Sequence, residues 1–249
     1  MMKKIPILFF ILLLLLLSAC QTTSSQPSDE APLEVVNLLI TPTLEHWLPR
    51  VADCANDIPA FGIYTQVSPL AEPGPDQPDL VIRLGARTEN DTHVVVLGME
   101  TFTVVAGSEV PLSSLSIESL QNIFSAEWTN WRQVPEIMTD GDSINQPIQT
   151  LSYPDGHMIR DLFSTIFLEE NNINSQPVLF STVDRLAEIL AGDPYAIGYL
   201  LESDVPENAK VLEITGIDPQ ATRQLVLAVT PQEPQGKLRQ LLLCLQNSP

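Results

Sequence analysis

Residues 112–131, LSSLSIESLQNIFSAEWTNW, carry the most informative local pattern in the chain. Ile117, Leu120 and Phe124 recur at helical spacing, so one face of a helix would bury all three. Ser116 opens this stretch, and Glu118 would lie near the positive end of the helix dipole. The pattern therefore predicts a helix that begins after Ser116 and packs one apolar face against a core.

Strand-like runs alternate with helical stripes on both sides of this helix. Further helices are predicted at 44–55, 158–167, 183–190 and 238–245 from apolar residues spaced three or four apart. Predicted strands cover 35–40, 61–67, 79–84, 93–97, 101–106, 147–151, 195–200, 210–214 and 224–229. Alternation of this kind is typical of layered α/β folds. In the first of these helices we expect Thr43 to be the N-cap and Pro49 to cause a kink or a restart.

The first twenty residues have the pattern of an export signal. Lys3 and Lys4 precede an uncharged apolar run at 5–17, which is shorter than a membrane-spanning helix needs. The quartet Leu17-Ser18-Ala19-Cys20 resembles the lipobox of bacterial lipoproteins. That resemblance implies a signal peptide at 1–19 and a lipid anchor, including palmitate, on Cys20. The alternatives are an uncleaved anchor or a plain secretory signal. The polar stretch 20–32 is predicted to be a disordered tether.

The charge of the chain excludes some classes of partner. The formal net charge is −19, and loss of Lys3 and Lys4 with the signal would make it more negative. Such a surface repels nucleic acid and anionic lipid headgroups, although acidity also simply keeps a protein in solution. An anionic ligand would therefore need a site that makes its own positive field.

The residues capable of chemistry are few. His46, His93 and His157 lack metal-ligand spacing, and the familiar nucleophile and phosphate-loop motifs are missing from the sequence. We therefore expect no enzyme activity, no metal and no cofactor. Apart from Cys20, the thiols are Cys54 and Cys244. In an oxidising compartment such a pair favours a disulfide, and two separate buried thiols are the alternative.

Three segments resemble the phosphate-type solute-binding proteins of ABC importers. In 112–131, Ile123-Phe124 and Asn130-Trp131 match the family pattern, while Ala126 replaces a Gly. Residues 155–163, DGHMIRDLF, resemble the family's anion loop, and residues 196–199, AIGY, resemble an Ala-Ile-Gly-Tyr strand. The order and spacing of the three segments agree with the family.

The resemblance implies a type II periplasmic-binding-protein fold, α/β with mixed sheets, two lobes and a two-strand hinge. Lobe 1 would comprise 33–103 and 201–249, and lobe 2 would comprise 104–200. Cys54 and Cys244 would then lie in the same lobe, which favours the disulfide. We expect a monomer that binds a small molecule or oxyanion between the lobes and serves an ABC permease or a membrane sensor.

The resemblance also implies which residues would contact the ligand. They would come from the loop after the first strand and from the anion loop: Thr41, Thr43, Tyr153, Gly156, His157 and Arg160. The family's Ser-Gly-Thr is His157-Met158-Ile159 here, so two hydroxyl donors and a Gly that permits close backbone approach are replaced. This loss motivates a second hypothesis, in which the same fold acts as an adaptor that binds another protein.

Overall fold

The computed structural model describes residues 32–68, 77–139, 144–168 and 173–247. The predicted signal peptide at 1–19, Cys20 and all but the last residue of the predicted tether at 20–32 lie outside these ranges. Within the described part of the chain, no helix is long and apolar enough to cross a bilayer.

Strands and helices alternate along the described chain, as the sequence predicts. The strands are β1 (Glu34–Ile40), β2 (Phe61–Val67), β3 (Leu80–Leu84), β4 (His93–Ala106), β5 (Ser114–Ser116), β6 (Leu151–Ser152), β7 (Val178–Leu179), β8 (Ile197–Leu201), β9 (Lys210–Thr215) and β10 (Arg223–Thr230). The α-helices are α1 (Leu48–Asn56), α2 (Ile117–Phe124), α3 (Pro135–Thr139), α4 (Met158–Phe167), α5 (Val183–Gly192) and α6 (Gly236–Asn247). Short 3₁₀ helices cover Pro42–Trp47, Trp131–Gln133 and Glu202–Asp204.

One mixed sheet runs through the molecule in the order β2-β1-β3-β10-β4-β9-β5, and β8 also pairs with β4. Strand β1 is parallel to β2 and β3, whereas β10 is antiparallel to β3 and β4. Strands β6 and β7 form a separate parallel pair. The predicted α/β class with mixed pairing is therefore confirmed.

Strand β4 links two groups of strands. Its first part, 93–101, pairs with β10, and its last part, 102–106, pairs with β8 and β9. The sequence predicted two strands here, at 93–97 and 101–106, and that division is wrong. The ladder of hydrogen bonds to β10 continues through residues 98–100, which separate the two predicted strands. Gly98 pairs with Val226 there, and Glu100 pairs with Gln224.

The chain crosses between the two groups a second time at 216–222, where the Phe102 N–H donates to the Thr222 carbonyl at 2.8 Å. The first crossing lies close to the predicted boundary at 103/104, whereas the second lies about fifteen residues after the predicted return at 201. The lobe boundaries stay a prediction. Strand β9, which the prediction assigns to lobe 1, pairs with residues 104–106 of β4, which it assigns to lobe 2.

Helices α1 and α6 cover one face of the first group of strands. Cys54 of α1 and Cys244 of α6 form a disulfide, which confirms the predicted pair. The Arg50 guanidinium also donates to the Leu245 carbonyl at 2.6 Å, and the Lys237 ammonium donates to the Ala60 carbonyl at 2.7 Å. The first and last helices are thus fastened to each other and to the sheet.

Aromatic rings fill the core of the second group. Phe163 stacks on Tyr199 with ring centroids 3.7 Å apart, and Phe124 meets Phe163 at 4.7 Å. The predicted face of α2 packs on the core, with Leu120 and Phe124 fully buried and Ile117 partly buried. Just past that helix, Ala126 adopts a φ of 69°, in the left-handed region where the family pattern has Gly.

Two local predictions are wrong. Thr43 is not an N-cap, because the chain first forms the 3₁₀ helix Pro42–Trp47 and Thr43 lies inside it. The restart at Pro49 is confirmed, since α1 begins at Leu48 with Pro49 in its first turn. The predicted strand at 147–151 is reduced to Leu151–Ser152, in part because Pro147 has no N–H to donate to a ladder.

Candidate functional site

The turn between β6 and α4 occupies the position of the predicted anion loop. Gly156 takes a φ of 77° at this turn and leaves the next residue in place to cap the helix. The His157 Nδ1 accepts a hydrogen bond from the Ile159 N–H at 3.3 Å, and burial lowers the pKa of this imidazole. The neutral ring therefore satisfies a backbone donor that could otherwise bind an anion.

Tyr153 packs within the protein. Its ring stacks on His157 and contacts Phe180, with both centroid distances 4.3 Å, and the residue is only 3% exposed. Burial raises the pKa of its hydroxyl well above the ordinary value. The ring therefore supports the turn before α4.

Arg160 also serves this turn. Its guanidinium contacts the Asp155 carboxylate at 2.7 Å and donates to the Tyr153 carbonyl at 3.0 Å. Behind it, the Ser152 hydroxyl and the Tyr199 hydroxyl lie 2.6 Å apart. Burial raises the pKa of Tyr199 to about 12, so this pair stays protonated at neutral pH. The positive charge of Arg160 thus has a partner on its own loop.

Thr41 and Thr43 lie at the carboxyl end of β1. They are 2% and 7% exposed, and their hydroxyl oxygens are 3.5 Å apart. The Thr41 N–H donates to the Ile82 carbonyl of β3 at 3.3 Å. The six predicted ligand residues thus fall into two groups, one after β1 and one before α4, and each group is hydrogen-bonded within itself. A role for them in binding stays a prediction.

A charged cluster that the sequence did not reveal lies beside the middle of β4, around Glu100. The Glu100 carboxylate accepts hydrogen bonds from His46 Nε2 and Trp47 Nε1, both at 2.9 Å. The His46 Nδ1 lies 3.7 Å from the Asp204 carboxylate. The hydrogen bond to Glu100 is the main cause of a raised pKa at His46, while burial raises the pKa of Asp204.

The physical role of this cluster is to tie separate elements together. It joins the 3₁₀ helix after β1 to β4 and to the 3₁₀ helix after β8. Burial opposes the charged form of Glu100, but the bonds from His46 and Trp47 outweigh it and hold the pKa of Glu100 low. Among the described residues, no group of three or more His, Cys, Asp or Glu is arranged to hold a metal ion.

A cavity of about 840 Å³ lies against the face of β3 and β10 and reaches Met158 at the start of α4. Val81 and Arg83 face it, because side chains alternate along β3 and Ile82 points into the core. Val229 pairs with Val81 and lies on the same face. The remaining lining is Gln77, Pro78, Leu84, Ala86, Arg87, Thr88, Asn90, Asp91, Thr92, Thr230 and Pro231.

Arg83 folds the loop at the edge of this cavity. Its guanidinium donates to the Leu84 and Ala86 carbonyls at 3.1 Å and contacts the Asp91 carboxylate at 2.5 Å. Asp91 also accepts from the Thr88 N–H at 2.6 Å. Arg87 is exposed on this loop and makes no ion pair with another described residue. The lining therefore carries one arginine that is paired and one that forms no ion pair within the described part of the chain.

Comparison with known families identifies the chain. A family model described as "PBP superfamily domain" matches residues 82–242. The chain belongs to the PBP superfamily. The match spans β3 to α6, and it includes Arg83, Arg87 and Met158 of the cavity.

Solved structures agree with this PBP assignment. A phosphate transport receptor from Vibrio cholerae matches at TM-score 0.64 and 12% identity, covering 86% of this chain and 93% of that one. A putative phosphate-binding protein from Clostridium perfringens with bound phosphate matches at TM-score 0.66 and 17% identity, covering 85% and 92%. The regulatory domain of Synechocystis PCC6803 CcmR, in complex with 2-PG, matches at TM-score 0.61 and 14% identity, covering 85% and 95%. These matches confirm the type II periplasmic-binding-protein fold of this PBP domain.

Proposed function

We propose that this protein is a membrane-anchored solute-binding lipoprotein of the phosphate-type family. It captures a small solute and presents it to an ABC permease or to a membrane sensor. The observation that carries the proposal is the cavity of about 840 Å³ between the β3–β10 face and Met158. Its volume lies in the range of small-molecule sites, and it combines an apolar wall with a few polar groups.

The position of the cavity supports capture by closure. One wall comes from β3 and β10, whereas Met158 begins a helix that follows β6 and packs with the second group of strands. Two chain crossings connect the groups, so a small rotation about them would change the gap between the walls. Hinge closure around a ligand is a common switching motion in two-lobed binding proteins.

Native mass spectrometry of freshly purified protein tests the proposal, because a trapped solute reports its own mass. A thermal-shift screen with phosphate, sulfate, tungstate, amino acids and sugars should then find a solute that raises the melting temperature. Met158→Trp should block the cavity and abolish that shift. Leu179→Trp, at an exposed apolar position on β7, is the matched control and should keep it. A folded protein that no solute stabilises would contradict capture.

The anchor is a separate part of the proposal. The lipobox-like Leu17-Ser18-Ala19-Cys20 and the Cys54–Cys244 disulfide both favour an extracytoplasmic location. We expect Cys20 of the exported protein to carry acyl chains such as palmitate, which mass analysis of its N-terminal peptide would detect. A Cys20→Ser variant should lose both the added mass and recovery in the membrane fraction.

An adaptor function is the second candidate. It is favoured by the hydrogen bond with which His157 caps α4, and by the burial of Tyr153 and Thr41. In that case the protein would bind a partner protein through its outer surface and would need no solute. An empty native mass spectrum, together with no thermal shift from any solute, would favour the adaptor over the capture function.

A further inference from the structure

The lining of the cavity beside Met158 has two chemically distinct parts. We propose that the cavity binds an organic anion, with a carboxylate held by Arg87 and an apolar body lying along Val81, Val229 and Met158. This inference rests on the proposed function, because it assigns a ligand class to that same cavity.

The charged residues of the cavity lining favour an anionic group on the ligand. Arg83 contacts two backbone carbonyls and the Asp91 carboxylate, so its charge is neutralised within the loop. Arg87 adds a positive charge to the lining, and Asp91 is the single acidic residue among the described residues that line it. In a chain of formal charge −19, Arg87 supplies the local positive field that an anionic ligand requires, and Glu89 of the same loop does not line the cavity.

Polar groups near Arg87 suit a carboxylate. Thr88, Asn90 and Thr92 lie on the same rim and can donate hydrogen bonds to its oxygens. A guanidinium binds a carboxylate through two parallel N–H donors, which gives direction as well as attraction. The anionic group of the ligand would therefore lie at the loop end of the cavity.

The rest of the cavity is mainly apolar, apart from Gln77 and Thr230, and it is too large for an inorganic oxyanion. Val81 and Val229 lie side by side on paired strands, and Pro78 and Pro231 extend the apolar surface. Met158 stands where the anion loop of phosphate-type proteins has a Gly, so a flexible thioether replaces an open approach to the backbone. The His157 side chain already accepts the hydrogen bond of the Ile159 N–H, so this backbone donor of α4 is not open to a phosphate. These features favour a ligand with a hydrocarbon body over free phosphate.

Three small probes separate the two parts of the proposed ligand. Hexanoate has an alkyl chain and a negative charge. Hexanamide has the same chain with a neutral amide, and inorganic phosphate has the negative charge without a chain. In titration calorimetry with the full chain, hexanoate should bind about tenfold or more tightly than either of the others, because the charged hydrogen bond is lost with hexanamide. Equal binding of hexanoate and hexanamide, or tighter binding of phosphate, would overturn the ligand class.

A pair of variants assigns the effect to the cavity. Arg87→Gln should reduce hexanoate affinity to the level of hexanamide, and Arg132→Gln, an exposed arginine outside the lining, should leave it unchanged. Hexanoate binding that Arg87→Gln does not alter would overturn the inference. If the solute found in the native spectrum is neutral or cationic, the ligand class fails while solute capture stands. If no solute binds at all, both proposals fail.

Discussion

Loss of the Cys54–Cys244 disulfide should destabilise the protein strongly. The bond joins residues 190 positions apart, so it closes a loop that spans most of the described chain. A chain-entropy estimate for a loop of this length gives about 5 kcal/mol of stabilisation through the unfolded state. Measured losses on removing native disulfides are about 2–5 kcal/mol, which corresponds here to a fall in melting temperature of roughly 10 °C.

The assay compares oxidised and reduced wild-type protein with Cys54→Ala/Cys244→Ala in urea and thermal unfolding. Reduced wild-type protein has no truncated side chain, so it separates loss of the cross-link from any cavity left by Cys54, which is buried. Reductant should lower the midpoint of the wild type and leave that of the double variant unchanged. The urea dependence should also steepen without the bond, because the unfolded chain exposes more surface.

Two results would refute this reasoning. The first is detection of two free thiols at positions 54 and 244 in protein purified without reductant. The second is an unchanged unfolding midpoint after complete reduction, which would mean that the bond from Arg50 of α1 to Leu245 of α6, and that from Lys237 to Ala60 before β2, are sufficient by themselves.

Three further predictions concern backbone fit and pH. Gly107→Ala should destabilise by about 3 kcal/mol or more in urea unfolding, because a Cβ there would lie 2.3 Å from the Pro194 carbonyl oxygen. Gly192→Ala, which has open space, should be neutral or stabilise by up to about 1 kcal/mol. Ala126→Gly should stabilise by about 0.5 kcal/mol, since φ is 69° there. Two histidines should make stability depend on pH in opposite directions. The pKa of His46 is raised by its bond to Glu100, so its contribution is lost as pH rises through the folded pKa. Burial lowers the pKa of His157, so its contribution is lost as pH falls below 6.5. The free energy of unfolding in urea, measured across pH, should therefore fall less steeply toward alkaline pH in His46→Gln and less steeply toward acid pH in His157→Gln. An unchanged pH dependence in either variant would contradict the assignment for that histidine.

Sequence periodicity was sufficient to predict most of the secondary structure. The face of α2, the stripe of α4 and the leucine face of α6 were predicted because spacing alone decides which side chains can share a buried surface. The disulfide was predictable because only two thiols remain after Cys20. The fold class followed from the alternation of strands and helices, and the two-lobed type II architecture followed from family resemblance.

The candidate site was much less predictable. Family resemblance singled out Thr41, His157 and Arg160, whose role in binding stays a prediction, and it could not show which of these groups already have partners. Arg160 is paired with Asp155, and His157 caps its own helix. The contact between His46 and Glu100 spans 54 positions, and no local pattern reports it.

The sequence by itself determined the local elements, because hydrophobic spacing and backbone propensity act within a few residues. Only the tertiary structure decided that β4 continues through Gly98, because strand β10 pairs across that interruption. It also decided that the two arginines of the cavity lining have different contacts. Arg83 and Arg87 are four residues apart, but one folds onto Asp91 and the other remains at the rim of the cavity. The availability of a charge depends on contacts that form only when distant segments pack together.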